Sequence, residues 1–261
     1  MVVVLWTAAL SGLTMSLAFV SKSEKNIVVK NLNITIHNNS ENLFLNEKDI
    51  SSFLASRDEN LVSSKYRNIS IPQIEKALNS HPAIENAEVA GDINGEIKID
   101  VTQRTPVCRI INLDGESYYI DSQSKLMPLN DNYSARVIVA NGFITEPYSR
   151  RYQYSINQIK ENKTFKELSV LDDVMDVVNY INADSTLSLL IQQVYVNEEK
   201  EMELFPAVGN HKIIFGTTNL LEEKFNKLKL FYTQGLNKSD SWTKYSTINL
   251  KYKNLVVCTK K

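Results

Sequence analysis

The longest apolar stretch of the chain lies at its start, where residues 2–20 contain no charged side chain. At about 1.5 Å per residue, a helix of this length spans most of the roughly 30 Å hydrocarbon core of a bilayer. The pattern therefore predicts a transmembrane helix over residues 2–20, with a cleaved signal peptide and a buried core helix as alternatives. Lys22, Lys25 and Lys30 follow the run and only Met1 precedes it. By itself, the positive-inside rule then places the remaining chain in the cytoplasm.

The next segment switches between the two-residue period of a strand and the 3.6-residue period of a helix. Residues 27–36 alternate between apolar and polar in their second half, which predicts a half-buried strand. Asn46 precedes acidic residues and apolar positions at helical spacing, and it is predicted to cap a first helix. Ser70 is predicted to open a second helix with a capping box, and this helix ends before Pro82.

A β-hairpin follows the second predicted helix. Asn94-Gly95 separates two apolar stretches and favours a two-residue turn. On the return arm, apolar side chains at 97, 99 and 101 alternate with charged ones. The predicted order over residues 25–104 is β-α-α-β-β, and we expect these residues to form one domain.

Residues 107–261 are predicted to form a second domain, a mostly antiparallel sheet with two helices. The predicted strands are 107–111, 117–121, 137–140, 189–197, 201–205, 212–215 and 246–257. One helix is predicted to open at Thr164 and another at Asn219, and Gly235 has the position of a left-handed C-cap. The fold class is therefore α+β, with a transmembrane helix before two domains.

Composition narrows the function. The formal net charge of −1 and the sequence pI of about 6.3 give no general attraction for nucleic acid. Cys108 and Cys258 are too far apart in sequence for a CxxC motif, and they form either one disulfide or two buried thiols.

The residues offer no catalytic constellation. His37, His81 and His211 are scattered, and the chain has no HExxH, Gly-x-Ser-x-Gly, P-loop or GxGxxG motif. The adjacent carboxylates Asp172 and Asp173 are interpreted as a solvated helix face. The sequence therefore predicts a protein that is not an enzyme and has no cofactor or metal site.

Two groups of motifs resemble known families. The first domain resembles a POTRA domain in residues 71–78, 81–89 and 97–101 and in Arg104-Thr105-Pro106. The second domain contains Tyr118-Tyr119-Ile120-Asp121 and the segments 126–129, 208–216, 224–232 and 244–260. In these residues it resembles the cell-division family FtsQ (DivIB), in the form found in the Bacteroides group.

The resemblance implies a non-catalytic scaffold with a single membrane span. Such a protein lies in the bacterial inner membrane at the division septum, with its C-terminal bulk in the periplasm. It binds FtsB- and FtsL-type division proteins, and its POTRA domain is a second surface for other divisome members. The alternatives are a POTRA-containing export or outer-membrane assembly component and a membrane-anchored envelope enzyme.

The predicted binding site is the final strand. A strand at the end of a chain is often a sheet edge, and an edge can accept a partner strand. The resemblance likewise implies that the last strands recruit the FtsB- and FtsL-type partners. A lysine at Ile248 or Tyr252 is expected to abolish partner binding with the fold retained. The predicted partner-binding residues are Tyr245, Ser246, Thr247, Ile248, Asn249, Leu250, Lys251 and Tyr252.

Overall fold

The computed structural model divides the chain into two compact units, Met1–Arg104 and Thr105–Lys261. The residues it describes are 6, 27–37, 44–57, 61–92, 94–130, 133–148, 156, 169–237 and 242–261. Apart from Trp6, the predicted membrane helix at residues 2–20 lies outside them. Within the described ranges, no helix has both the length and the apolar character needed to cross a bilayer.

The first unit has a three-stranded sheet and two α-helices. Its strands lie in the order β1-β3-β2, with β1 parallel to β3 and β2 antiparallel to β3. The predicted order β-α-α-β-β is confirmed. The elements are β1 (Asn31–His37), α1 (Glu47–Ala55), a 3-10 turn (Tyr66–Asn68), α2 (Ile71–Asn79), β2 (Ile84–Gly91) and β3 (Glu96–Gln103).

Asn46 caps α1 as predicted. Its side chain accepts hydrogen bonds from the backbone N–H groups of Lys48 and Asp49, and the Asp49 carboxylate accepts one from the N–H of Asn46. This reciprocal pair satisfies N–H groups that have no partner within the helix. The capping box predicted at Ser70 is wrong, because the Ser70 side chain makes no cap bond. The second helical residue of α2 is Pro72, which has no N–H to satisfy.

The hairpin between β2 and β3 is longer than predicted. Its last backbone bonds join the N–H of Asp92 to the carbonyl of Glu96 and the N–H of Gly95 to the carbonyl of Asp92. Three residues therefore separate the paired positions. Gly95 has φ +85°, a left-handed conformation that favours glycine. The Asp92 carboxylate accepts from the N–H of Asn94 and of Glu96, which favours this wider loop.

Gln103 ties the segment before α1 to the sheet. Its side chain is buried at the end of β3, and Oε1 accepts from the N–H groups of Phe44 and Leu45, both at 2.9 Å. Both donor residues are also buried. Because they are buried, these two N–H groups cannot hydrogen-bond to water if the Gln103 side chain is removed.

We expect Gln103→Ala to destabilise the first unit by about 2–4 kcal/mol, since it leaves two buried donors unsatisfied and a small cavity. Urea unfolding followed by circular dichroism measures this change. Lys98→Ala, at an exposed position of the same strand, is the matched control and should shift stability by less than about 0.5 kcal/mol. Equal stabilities for the two variants would contradict the clamp.

The second unit is a nine-stranded mixed sheet with helices. The strand order is β12-β11-β10-β9-β8-β7-β4-β5-β6. Antiparallel pairs predominate as predicted, but β4–β7, β7–β8 and β10–β11 are parallel. The strands are β4 (Pro106–Ile111), β5 (Ser117–Asp121), β6 (Leu126–Met127), β7 (Ile138–Gly142), β8 (Ile191–Val196), β9 (Met202–Pro206), β10 (Lys212–Gly216), β11 (Tyr245–Asn249) and β12 (Val257–Lys260).

The helices of this unit differ from the prediction in number and in their ends. They are α3 (Leu171–Ala183), α4 (Ser185–Leu190) and α5 (Leu221–Leu230), and α5 continues into a π-helical turn (Phe231–Leu236). The short α4 was not predicted. The opening predicted at Thr164 lies outside the described residues.

Two further predictions about α5 are wrong. Asn219 does not cap it, because the chain enters the helix through Leu220 at φ +56° with no side-chain cap bond. Lys224 instead donates from Nζ to the carbonyl of Thr217 at 2.7 Å. Gly235 is not a left-handed cap, since it lies within the π-helical turn.

The core of the second unit lies between the sheet and the helices. Val178 on α3 and Phe225 on α5 are fully buried in it. The Tyr180 ring stacks on Phe225 with 4.7 Å between ring centroids, which joins α3 to α5. Phe225 also contacts Phe215 on β10. Through these contacts, α3 and α5 pack against the part of the sheet that contains β10, next to the final strands.

Candidate functional site

The segment predicted as one final strand at the sheet edge forms two strands, β11 and β12. The first of them, β11, does not lie at the edge. β11 pairs in parallel with β10 on one side and antiparallel with β12 on the other. The chain reverses between them, and Asn254 has φ +61° within this turn. The prediction of a single strand over 246–257 is therefore wrong, and the edge is β12.

The eight predicted binding residues consequently have unlike environments. Ile248 and Leu250 are fully buried in the core, whereas Lys251 and Tyr252 are exposed. A lysine at Ile248 would bury a charge, so a retained fold stays a prediction only for the lysine at Tyr252. The half-buried residues are Tyr245, Ser246, Thr247 and Asn249.

The backbone of β11 has partners on both sides. The N–H of Leu250 donates to the carbonyl of Ile214 on β10 at 2.9 Å. Backbone groups of successive residues point to opposite sides of a strand. Those of Thr247 and Asn249 therefore face β12.

The free edge of the sheet follows from this alternation. In register, Thr247 and Asn249 pair with Thr259 and Val257, so the backbone groups of these two β12 residues face inward. The N–H of Lys261 also points inward, to the carbonyl of Lys244. The N–H and C=O of Cys258 and the N–H of Lys260 consequently face away from the sheet. The carbonyl of Lys260 instead accepts from Oγ of Ser246 on β11 at 3.4 Å. Sequence reasoning missed both residues as site residues, although the slip in apolar phase at Leu255 indicated a new strand.

Side chains fix the turn between β11 and β12. Lys227 on α5 donates from Nζ to the carbonyls of Leu250 and Tyr252, at 3.1 and 2.7 Å. Lys251 donates to both carboxylate oxygens of Glu201, each at 2.7 Å. The stem of Lys251 passes over Gly216, where an added Cβ would lie 3.0 Å from its Cγ. These contacts hold the turn to α5, to β10 and to the hairpin between β8 and β9.

Hydroxyl groups join the two final strands as well. Thr247 donates from Oγ1 to Oγ1 of Thr259 at 2.9 Å, and Ser246 donates from Oγ to the carbonyl of Thr259 at 3.2 Å. The side-chain bonds supplement a ladder that is only four residues long. β12 is therefore held as a preformed edge.

The exposed surface of this edge is apolar and basic. Tyr252, Leu255 and Val257 are 53%, 61% and 45% exposed. Residues 242–261 include five lysines and no aspartate or glutamate. One of the five, Lys251, is neutralised by Glu201. The edge thus offers backbone groups, apolar side chains and an excess of positive charge.

His211 supports the entry into β11 from within the core. It is buried, its Nε2 lies 2.9 Å from the hydroxyl of Tyr232, and its ring is near that of Trp242. Burial lowers the pKa of His211, and the backbone carbonyls of Gly209 and Trp242 oppose this in part. The imidazole is therefore favoured in its neutral form.

We expect this histidine to make the second unit less stable in mild acid. Below the ordinary histidine pKa of 6.5, His211 binds a proton in the unfolded chain but stays neutral in the folded one. The free energy of unfolding therefore falls as the pH decreases through that value. Urea midpoints between pH 7.5 and 5.5 should fall less steeply for His211→Gln than for the wild type. Equal slopes in the two proteins would contradict this role.

The other candidate residues make contacts within the fold that account for their positions. His81 accepts from the N–H of Ala83 and contacts the Phe53 ring edge-on. The interpretation of Asp172 and Asp173 as a solvated face is wrong for Asp172, which is buried, while Asp173 accepts from Thr218 at 2.7 Å. In the part of the chain that the structure describes, no three His, Cys, Asp or Glu side chains form a group suited to a metal ion.

The two cysteines are free thiols. Cys108 on β4 and Cys258 on β12 are six strands apart in the sheet, or about 29 Å at roughly 4.8 Å per strand. A disulfide needs Cα atoms within about 7 Å. Burial raises the pKa of the Cys108 thiol to about 12, which leaves it unreactive. Of the two alternatives, free thiols are therefore correct, but only Cys108 is buried, since Cys258 is half-buried.

Two family models match the chain. The model described as FtsQ/DivIB, C-terminal related, matches residues 105–259, and the model described as POTRA-like domain matches residues 27–102. Their matched ranges follow the two structural units. No curated protein matches the chain.

Proposed function

The chain belongs to the FtsQ/DivIB C-terminal-related family, and on that premise we propose that it is a cell-division scaffold that recruits its partners at β12. Family membership indicates a division-related scaffold that acts through protein–protein contacts. We further propose that residues 2–20 anchor it in the bacterial inner membrane. The two units then lie in the periplasm at the septum.

The observation that carries the binding proposal is that the N–H and C=O of Cys258 and the N–H of Lys260 face away from the sheet. An edge strand with free N–H and C=O groups can accept one more strand, and main-chain hydrogen bonds then supply affinity. The bonds from Lys227 and Lys251 hold this edge in place, so little ordering entropy opposes association. The partners are FtsB- and FtsL-type division proteins.

The side chains around the edge set the chemistry of the partner segment. Apolar residues of the partner cover Tyr252, Leu255 and Val257, and its carboxylates face Lys260 on β12 and the lysines at 253 and 261 on either side of that strand. Charge pairs at an exposed rim act mainly on specificity and association rate. Binding should therefore weaken as salt is added.

The alternative of an export or outer-membrane assembly component has less support. It is compatible with the POTRA-like match at residues 27–102. It does not account for the division-family match over residues 105–259, which covers more than half of the chain.

A proline at position 260 tests the edge directly. Lys260→Pro removes an N–H that faces outward and leaves the β11–β12 ladder intact, because proline is tolerated on edge strands. The lost bond and the clash of the ring with an incoming strand should weaken partner binding by at least tenfold. Binding of the purified FtsB- and FtsL-type pair, measured by calorimetry, gives the affinity.

Matched variants separate the backbone from the side chain. Lys260→Ala keeps the N–H and should lose only the salt-dependent part, about twofold to fivefold. Thr259→Pro removes an inward N–H and should also lower stability, which circular dichroism reports. If Lys260→Pro folds and binds as the wild type does, recruitment through β12 is wrong.

A further inference from the structure

Side chains of α2 bind the outer edge of β2 in the first unit. β2 pairs with β3 on one side, and no other strand of the described residues pairs with it. The N–H of Ala87 donates to Oδ1 of Asn79 at 3.0 Å, and the carbonyl of Ala87 accepts from Nδ2 of the same amide at 3.1 Å. The N–H of Val89 donates to Oε1 of Glu75 at 2.9 Å. Two residues one turn apart on α2 therefore satisfy three backbone groups of β2.

These three groups are the ones that an added strand would need. Backbone groups of successive residues point to opposite sides of a strand, so those of Ala87 and Val89 face away from β3. In a hydrogen-bonded antiparallel pair, two residues exchange both their N–H and their C=O bonds. The Asn79 amide makes the same double contact with Ala87. It therefore occupies the place of one residue of a neighbouring strand.

The helix holds both side chains in this arrangement. Nδ2 of Asn79 also donates to the carbonyl of Glu75 at 2.9 Å, so its two hydrogens have one partner in α2 and one in β2. Ile74 and Leu78 on the same helix are fully buried. The core of the first unit therefore fixes the position from which Glu75 and Asn79 reach the strand.

The end of α2 does not need these side-chain bonds. The N–H of Ser80 donates to the carbonyls of Lys76 and Ala77, and the N–H of His81 donates to the carbonyl of Leu78. The last helical carbonyls therefore have backbone partners of their own. The bonds to β2 serve the strand edge and not the helix end.

We propose that Glu75 and Asn79 close the β2 edge and so keep the first unit from pairing edge to edge with a second copy of this chain. An uncovered strand edge is a template for pairing with another chain. Two β2 strands related by a two-fold axis would pair antiparallel and join their sheets into one. The closure acts within the first unit and does not depend on partner binding at β12.

Hydrogen exchange at single-residue resolution tests the closure on the full chain in a mild detergent. The amide of Glu88 faces β3 and is the internal reference, because global destabilisation accelerates its exchange as well. Asn79→Ala should accelerate exchange at Ala87 at least about tenfold relative to Glu88, since it removes the acceptor. Val89 should stay within about threefold in this variant, because its own acceptor remains.

Variants of Glu75 give the converse result. Glu75→Ala should accelerate exchange at Val89 at least about tenfold and leave Ala87 within about threefold of the wild type. Glu75→Gln should retain the protection of Val89, because an amide oxygen still accepts the bond. This conservative variant separates the hydrogen bond from the charge.

Sedimentation velocity tests the exclusion of a second copy. The double variant Glu75→Ala and Asn79→Ala should form a dimer over about a hundredfold range of concentration in which the wild type does not gain mass. Lys76→Ala changes an exposed residue of the same helix and should sediment as the wild type does. In the dimer, exchange at Ala87 and Val89 should slow again, which locates the contact at β2.

Two outcomes would overturn the proposal. One is an exchange ratio of Ala87 to Glu88 that Asn79→Ala leaves unchanged, because the amide would then not protect the edge. The other is a double alanine variant that folds by circular dichroism and self-associates no more than the wild type or Lys76→Ala. If the double variant does not fold, the exchange ratios of the two single alanine variants decide the closure.

Discussion

The second unit depends on the requirement that backbone N–H and C=O groups in a sheet find partners. β11 satisfies this requirement on both sides only because the chain turns back and adds β12. The turn needs its own support, and Lys227 supplies it by donating to two carbonyls from α5. One reversal of the chain therefore buries the strand expected to bind and creates a new edge four residues long.

In the first unit, a side chain meets the same requirement for backbone partners. β1 and β2 are both edges of a three-stranded sheet, and Gln103 uses its side chain to satisfy two N–H groups before α1. On the side away from β3, the chain just before β1 is paired as well, because the N–H of Val29 donates to the carbonyl of Ser64 and its carbonyl accepts from the N–H of Ser63. In the second unit, the candidate binding surface is the place where backbone pairing stops.

Local patterns predicted much of this architecture, whereas long-range pairing was beyond them. The alternation at Ile97 and the cap at Asn46 are local signals, and both are confirmed. The environment of Ile248 depends on its two neighbouring strands. β10 is distant in sequence, and β12 follows only after a turn. Periodicity within β11 therefore cannot distinguish an edge strand from an interior strand. Asp172 was misjudged for a similar reason, because burial of a carboxylate depends on tertiary neighbours.

The lysines at β12 have two physical effects, and together these favour a heterologous partner. Positive charge on an edge opposes pairing with a second copy, since like charges would meet across the new ladder. The same charge attracts a strand that carries carboxylates. If the lysines served only to keep the edge soluble, exposed apolar side chains beside them would be a liability. Tyr252, Leu255 and Val257 nevertheless remain exposed. An edge that repels a second copy of this chain and leaves apolar side chains exposed is the arrangement expected for binding a different chain.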